Sequence, residues 1–204
     1  MKKCFFIVVF FLVSSLAFSQ EGYESGYIIT NKGDTLKGKI KNKKYTASEA
    51  NSEKISFINS EGKESHKTPD EIKQYCKRGV QFFRSLPIGL EGKSKFAEIL
   101  EYGDVILFGY VSTSFVSTTS EVLSKSTDKN KDGKPDAPNN LEYFFQKRKD
   151  PNSLMKVRPK KFQETAMFFF QNDSELMKKI EDKNLGYDDI RLVVKTHNEN
   201  TEKK

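Results

Sequence analysis

Tryptophan is absent from this chain of 204 residues, and it has only two cysteines and two histidines. Each scarcity removes a class of chemistry. His66 and His197 stand far apart with no H-x-H or H-E-x-x-H spacing, so little is available to build a zinc centre. Cys4 lies in the opening segment, just before its apolar run, which leaves Cys76 alone in the rest of the chain, and no intramolecular disulfide can form there. A lone cysteine of this kind is ordinarily a buried, inert apolar residue. Arginine occurs only at 78, 84, 148, 158 and 191. Proteins that read nucleic acid cluster their basic residues and use arginine at base edges, so a nucleic-acid partner is not expected. Glycine-rich phosphate loops, serine elbows and internal repeats are also missing. No second long apolar run follows the first, so no transmembrane segment is expected once the first is removed.

The opening run is the most informative part of the chain. Lys2 and Lys3 precede nine residues without a polar side chain (5–13), and Ala17-Phe18-Ser19 places small residues three positions and one position before Gln20. This is the order of charge, apolar stretch and cut site found in a secretory signal peptide. The apolar stretch is about half the roughly 20 residues a spanning helix needs. The expectation is cleavage after Ser19 and a secreted or periplasmic protein beginning at Gln20. The signal carries two lysines and no acid, so the formal charge of +7 falls to +5 in the 185 residues that remain. That length allows one domain with a real core.

Residues 20–158 read as β-rich. Ile28-Ile29-Thr30 run into the turn-forming Asn31-Lys32-Gly33-Asp34. Leu36, Gly38 and Ile40 then alternate with lysines at 37, 39 and 41. Period two places the apolar set on one face and the lysines on the other, the pattern of a hairpin strand. Further strands are expected at Ile55 and Phe57, at Val80-Gln81-Phe82-Phe83, over 96–100 and over 105–111. The last is apolar at nearly every position, as a strand buried on both faces would be. Thr68-Pro69-Asp70-Glu71 has the composition of a short helix start. Residues 120–141 form a polar loop, Tyr143-Phe144-Phe145 resume a strand, and Asp150-Pro151-Asn152-Ser153 is expected to turn it.

From 159 to 200 the apolar period lengthens to about 3.6. Phe162, Ala166, Phe169 and Phe170 share one helical face; Leu176, Met177 and Ile180 a second; Ile190, Val193, Val194 and His197 a third. Asn172 with Glu175 reads as a cap for the middle helix, Gly186 as its end, Asp188 as the cap of the last helix, and residues 198–204 as a fraying end. Strands followed by helices give an α+β class. The architecture expected is an antiparallel β-sheet or partly closed barrel-like unit with about three C-terminal helices packed on it.

The run Gly26-Tyr27-Ile28-Ile29 with Gly33-Asp34-Thr35-Leu36-Lys37-Gly38-Lys39-Ile40 resembles the start of a group of small secreted proteins from Bacteroidetes-type Gram-negative bacteria. Thr68-Pro69-Asp70-Glu71-Ile72 and the closing residues Phe162, Leu176, Tyr187 and Ile190 resemble the same group. The resemblance implies export to the periplasm or cell surface. The group carries no established activity, so no site residues transfer.

Asp128, Asn130, Asp132, Gly133 and Asp136 make D-x-N-x-D-G-x-x-D, in which short oxygen-bearing side chains alternate and a glycine permits the sharp turn of a calcium loop. Lys134 would contribute its backbone carbonyl. Three features count against calcium: the twelfth loop position is Asn139 rather than a bidentate glutamate, no helix signal surrounds the loop, and Lys129, Lys131 and Lys134 oppose a cation. An ion held here would be structural rather than catalytic. The lysine stripe at 37, 39 and 41, continued by Lys43 and Lys44, reads first as a solvated strand face that discourages edge pairing and second as a contact for an anionic surface. Glu98 and Glu101 are carboxylates that could face a cleft, and Cys76 with His66 lacks a third group to position it. The paired rings Phe82-Phe83 and Phe144-Phe145, and Phe168-Phe169-Phe170, put aromatics on both sides of their elements, so each element needs a cover. Three functions remain open. The leading one is an exported, non-enzymatic binding or envelope-associated module with a protein or glycan partner. The others are a carrier holding an apolar ligand between sheet and helices, and a hydrolase acting on an envelope polymer.

Overall fold

The computed structural model describes residues 22–41, 54–111 and 141–202. The expected signal segment and the loop containing 128–136 lie outside these residues. Among the described residues ten strands form one antiparallel sheet in the order β10-β9-β8-β7-β6-β5-β1-β2-β3-β4. They are β1 (Glu24–Thr30), β2 (Thr35–Lys41), β3 (Ile55–Asn59), β4 (Glu64–Lys67), β5 (Ile72–Lys77), β6 (Gln81–Leu86), β7 (Lys95–Glu101), β8 (Val105–Val111), β9 (Leu141–Lys147) and β10 (Asp150–Val157). The sheet does not close, so β10 and β4 are its two edges. Three helices follow it: α1 (Phe162–Phe170), α2 (Ser174–Glu181) and α3 (Ile190–Glu202). No helix among the described residues is long and apolar enough to cross a membrane.

The two faces of the sheet carry different cores. On one face Val105, Leu107, Phe145 and Val157 meet Phe162, Ala166, Phe169 and Phe170 of α1, the stripe of α2 and the stripe of α3. The ring of Phe145 sits edge-on to Phe169 and Phe170 at 5.2 and 5.4 Å, a favoured aromatic geometry. Farther along the same face, Ile28, Ile40, Ile55, Phe57, Ile72, Tyr75, Phe83 and Phe96 form a second cluster that contains no helical residue. It draws on six strands, so the twist of the sheet brings strands that are not neighbours over a common centre. The opposite face is sealed beside β8 by Leu86, Ala97, Ile106, Phe108, Tyr110 and Phe144. This is why six of the seven positions of β8 are buried and its sequence shows no alternation.

Several local expectations shift. Glu71 does reach back to Thr68, accepting from its backbone N–H at 2.8 Å, but the segment is a turn that runs directly into β5. The chain between β9 and β10 reverses at Arg148-Lys149. Asp150-Pro151-Asn152-Ser153 instead belongs to β10 and makes a bulge, where the register shifts between Asp150 and Met155. Ser153 Oγ fills the gap, accepting from Lys147 N–H at 2.7 Å and donating to Asp150 C=O at 2.6 Å. The cap of α2 is Asp173, one residue beyond Asn172, with its carboxylate accepting from Leu176 N–H at 3.2 Å. That helix ends at Glu181, and Lys183 takes the left-handed conformation (φ 58°) that was expected at Gly186.

Candidate functional site

The passage from sheet to helices is written in six residues, Lys156-Val157-Arg158-Pro159-Lys160-Lys161, of which four are cations. Val157 is buried and anchors the end of β10. Pro159 is pre-set for the first position of the short 3-10 turn Pro159–Lys161, and Phe162 then plants α1 in the core. The basic residues around these anchors turn outward, and all four are exposed. They flank two open grooves. The larger, about 490 Å³, runs between β10 and α1 and is lined by Met155, Lys156, Arg158, Lys161, Glu164, Thr165 and Phe168. The smaller, about 260 Å³, lies between the start of α1 and the segment after α2 and is lined by Lys160, Lys183 and Tyr187 among others.

The larger groove is amphipathic. Phe168 and Met155 are 46% and 39% exposed and offer an apolar surface. Lys156 pairs with Glu142 at 2.6 Å and Lys161 loosely with Glu164 at 3.7 Å. Arg158 makes no ion pair among the described residues. Three cations against one carboxylate on its walls give the groove a positive potential, which attracts anions and raises their encounter rate.

No family model, curated protein or solved structure matches the chain.

A second polar cluster is buried beneath the helices. His197 is 5% exposed, and its ring lies 4.9 Å from Phe170. Its Nδ1 is 3.4 Å from Asp173 Oδ2 and its Nε2 is 3.7 Å from Asp104 Oδ2, and neither nitrogen makes a hydrogen bond. Asp173 is held by the N–H of Leu176 and by Asn200 Nδ2 at 3.1 Å. The neighbouring Asn198 clasps β8 with both ends of its amide. It accepts from Val105 N–H at 3.0 Å and donates to Val105 C=O at 2.9 Å. Among the described residues no group of three or more His, Cys, Asp or Glu side chains has the geometry of a metal site. This cluster joins sheet to helices and opens onto neither groove.

The residues singled out in the sequence are dispersed. Asp128, Asn130, Asp132, Lys134 and Asp136, the calcium candidates, lie outside the described residues. Lys37, Lys39 and Lys41 do share the exposed face of β2, opposite buried Ile40, and Lys41 Nζ stands 5.4 Å from the Tyr23 ring centre. Cys76 is fully buried, and three strands separate it from His66, whose Nδ1 is 3.1 Å from Ser56 Oγ. Glu101 is committed to Arg191, accepting from Nε at 3.2 Å and Nη2 at 3.1 Å. Burial pushes the Glu98 carboxyl up, against the pull of Arg191 and Lys77. The basic junction leaves no mark in the apolar period, because its cations fall where a strand ends and a helix begins. The signal was the density of Lys and Arg over six residues.

Proposed function

We propose that this chain is an exported, non-enzymatic binding module of the cell envelope, akin to the secreted proteins its first hairpin resembles, and that it engages an anionic partner through the β10–α1 junction. The observation that carries this reading is where open space lies. The sheet–helix interface, where a carrier would hold its ligand, is filled by contacting side chains from β8, β9, β10 and all three helices. The larger groove lies instead on the outside and combines cations with exposed Phe168 and Met155. It brings one carboxylate, Glu164, to its walls, whereas glycoside cleavage uses two acids at a set separation.

The test is fractionation of a Gram-negative host expressing the full chain with a C-terminal tag. The expected result is a processed protein whose first residue is Gln20, recovered with the periplasm or envelope and released by high salt. An uncut protein held in the cytoplasm overturns the reading. Structural calcium in the 128–136 loop is part of the proposal. Millimolar calcium raises the thermal midpoint of the processed chain, since an ion that binds only the folded state stabilises it, and Asp132→Ala removes the rise.

A further inference from the structure

Among the described residues the sheet has two edges, β10 and β4, and they differ. β4 is four residues long, with Glu64 and His66 exposed. β10 is eight residues long, and its first half is protected against pairing by Pro151 and by the bulge between Asp150 and Met155. The second half is regular. Met155 stands opposite Phe145 and Lys156 opposite Phe144, so the two occupy opposite faces of the sheet. Both nevertheless line the larger groove, which means that the groove wraps the open edge of β10 itself. In an antiparallel ladder every second residue of an edge strand turns its N–H and C=O away from its one partner, which leaves the regular half of β10 with donors and acceptors for a further strand.

We infer that the β10 edge takes an extended acidic peptide segment as an eleventh strand, with alternate apolar residues on Met155 and Phe168 and carboxylates on Lys156, Arg158 and Lys161. Strand addition draws affinity from main-chain hydrogen bonds and specificity from alternate side chains. The charges select the occupant. A second copy of this chain paired antiparallel about Val157 would bring Lys156 of each copy against Arg158 of the other, and lysine on an edge is a known barrier to such pairing. An acidic strand meets the same cations favourably, and Arg158 has no carboxylate among the described residues to displace. The inference rests on the binding-module reading and names its partner.

The probe is a capped, fluorescent octapeptide alternating Glu and Val, titrated into the chain as purified from its expressing cell and followed by anisotropy. Four companions accompany it: the same peptide with Lys for Glu, the same peptide N-methylated at its Glu positions, the same peptide N-methylated at its Val positions, and phosphatidylglycerol vesicles. The expected result is saturable binding of the Glu/Val peptide, weakened at least tenfold in an Arg158→Glu, Lys161→Glu variant with an unchanged circular dichroism spectrum. The Lys/Val peptide should prefer that variant over the parent, which excludes misfolding as the cause. N-methylation on the hydrogen-bonding edge should abolish binding. Overturning results are equal binding by peptides methylated on either edge, tighter association with the vesicles than with the peptide, or no binding of the Glu/Val peptide. A chain that reaches the envelope but ignores the peptide overturns the edge inference alone. A chain that is never exported overturns the parent reading, whatever the peptide does.

Discussion

At the scale of single residues, the tightest link between sheet and helices is polar. Asn198 satisfies both backbone groups of Val105 at a position with 6% exposure, and the turn beside it accepts only glycine, because a Cβ on Gly103 would lie 2.3 Å from Asn198 Cγ. Asn198→Ala strands a buried N–H and a buried C=O together, and an unsatisfied buried group costs about 1–3 kcal/mol. The variant is expected to lose about 2–4 kcal/mol in urea unfolding, far more than an exposed polar residue of the same helix such as Glu199. Glu98 acts in the opposite sense. Burial raises its carboxyl above the usual glutamate range, so the folded state holds a proton that the unfolded chain releases. Its contribution is most favourable below the ordinary glutamate pKa and is lost as pH rises through the raised folded value. Glu98→Gln is expected to flatten the fall in urea midpoint between acidic and neutral pH. A parallel shift at both pH values would sink this account.

At the scale of elements, period carried the reading and end signals misled it. The three apolar stripes of the helices are all buried as their spacing requires, and β2 alternates as its lysines imply, except that Leu36 at its start is exposed. The ends depend on hydrogen bonds between particular atoms, which composition only approximates. Asn172 and Asp173 are both good caps, and only the distance to Leu176 N–H decides between them. Residues 198–202 look like a polar tail, yet α3 continues through them because Asn198 and Asn200 find partners across ninety-three and twenty-seven residues of sequence. Such pairings leave no local trace. The end of α2 makes the same point. Gly186 was the natural terminator, but the left-handed position fell to Lys183 (φ 58°). A side chain there costs about 1–2 kcal/mol over glycine's freedom, partly offset by the entropy glycine loses on folding. Lys183→Gly is accordingly expected to raise the thermal midpoint by a few degrees, corresponding to about 0.5–1 kcal/mol. A fall would show that the lysine side chain holds this turn together.

At the scale of the whole molecule, the class was readable because strands precede helices without alternation. The position of the open groove was not, since it depends on which strand ends at the edge and on the direction in which α1 leaves it. The sequence also leaves open how the two clusters on the helix-side face relate, one roofed by helices around Phe145 and one formed by strands alone around Phe57. The strands between them are continuously paired from β10 to β4, so neither cluster can melt without fraying a ladder that the other supports. Phe57 and Phe145 are 2% and 0% exposed, and truncating a buried phenylalanine to alanine costs about 3–5 kcal/mol. Phe57→Ala and Phe145→Ala are each expected to lower a single unfolding transition seen alike by far-ultraviolet circular dichroism and by tyrosine fluorescence. With no shared partner between the two sites, their effects should add in the double variant. If Phe145→Ala instead splits the transition, so that helical signal is lost while the strands around Phe57 persist, the molecule is two cooperative units joined by a common sheet, and the β10–α1 groove lies on the weaker one.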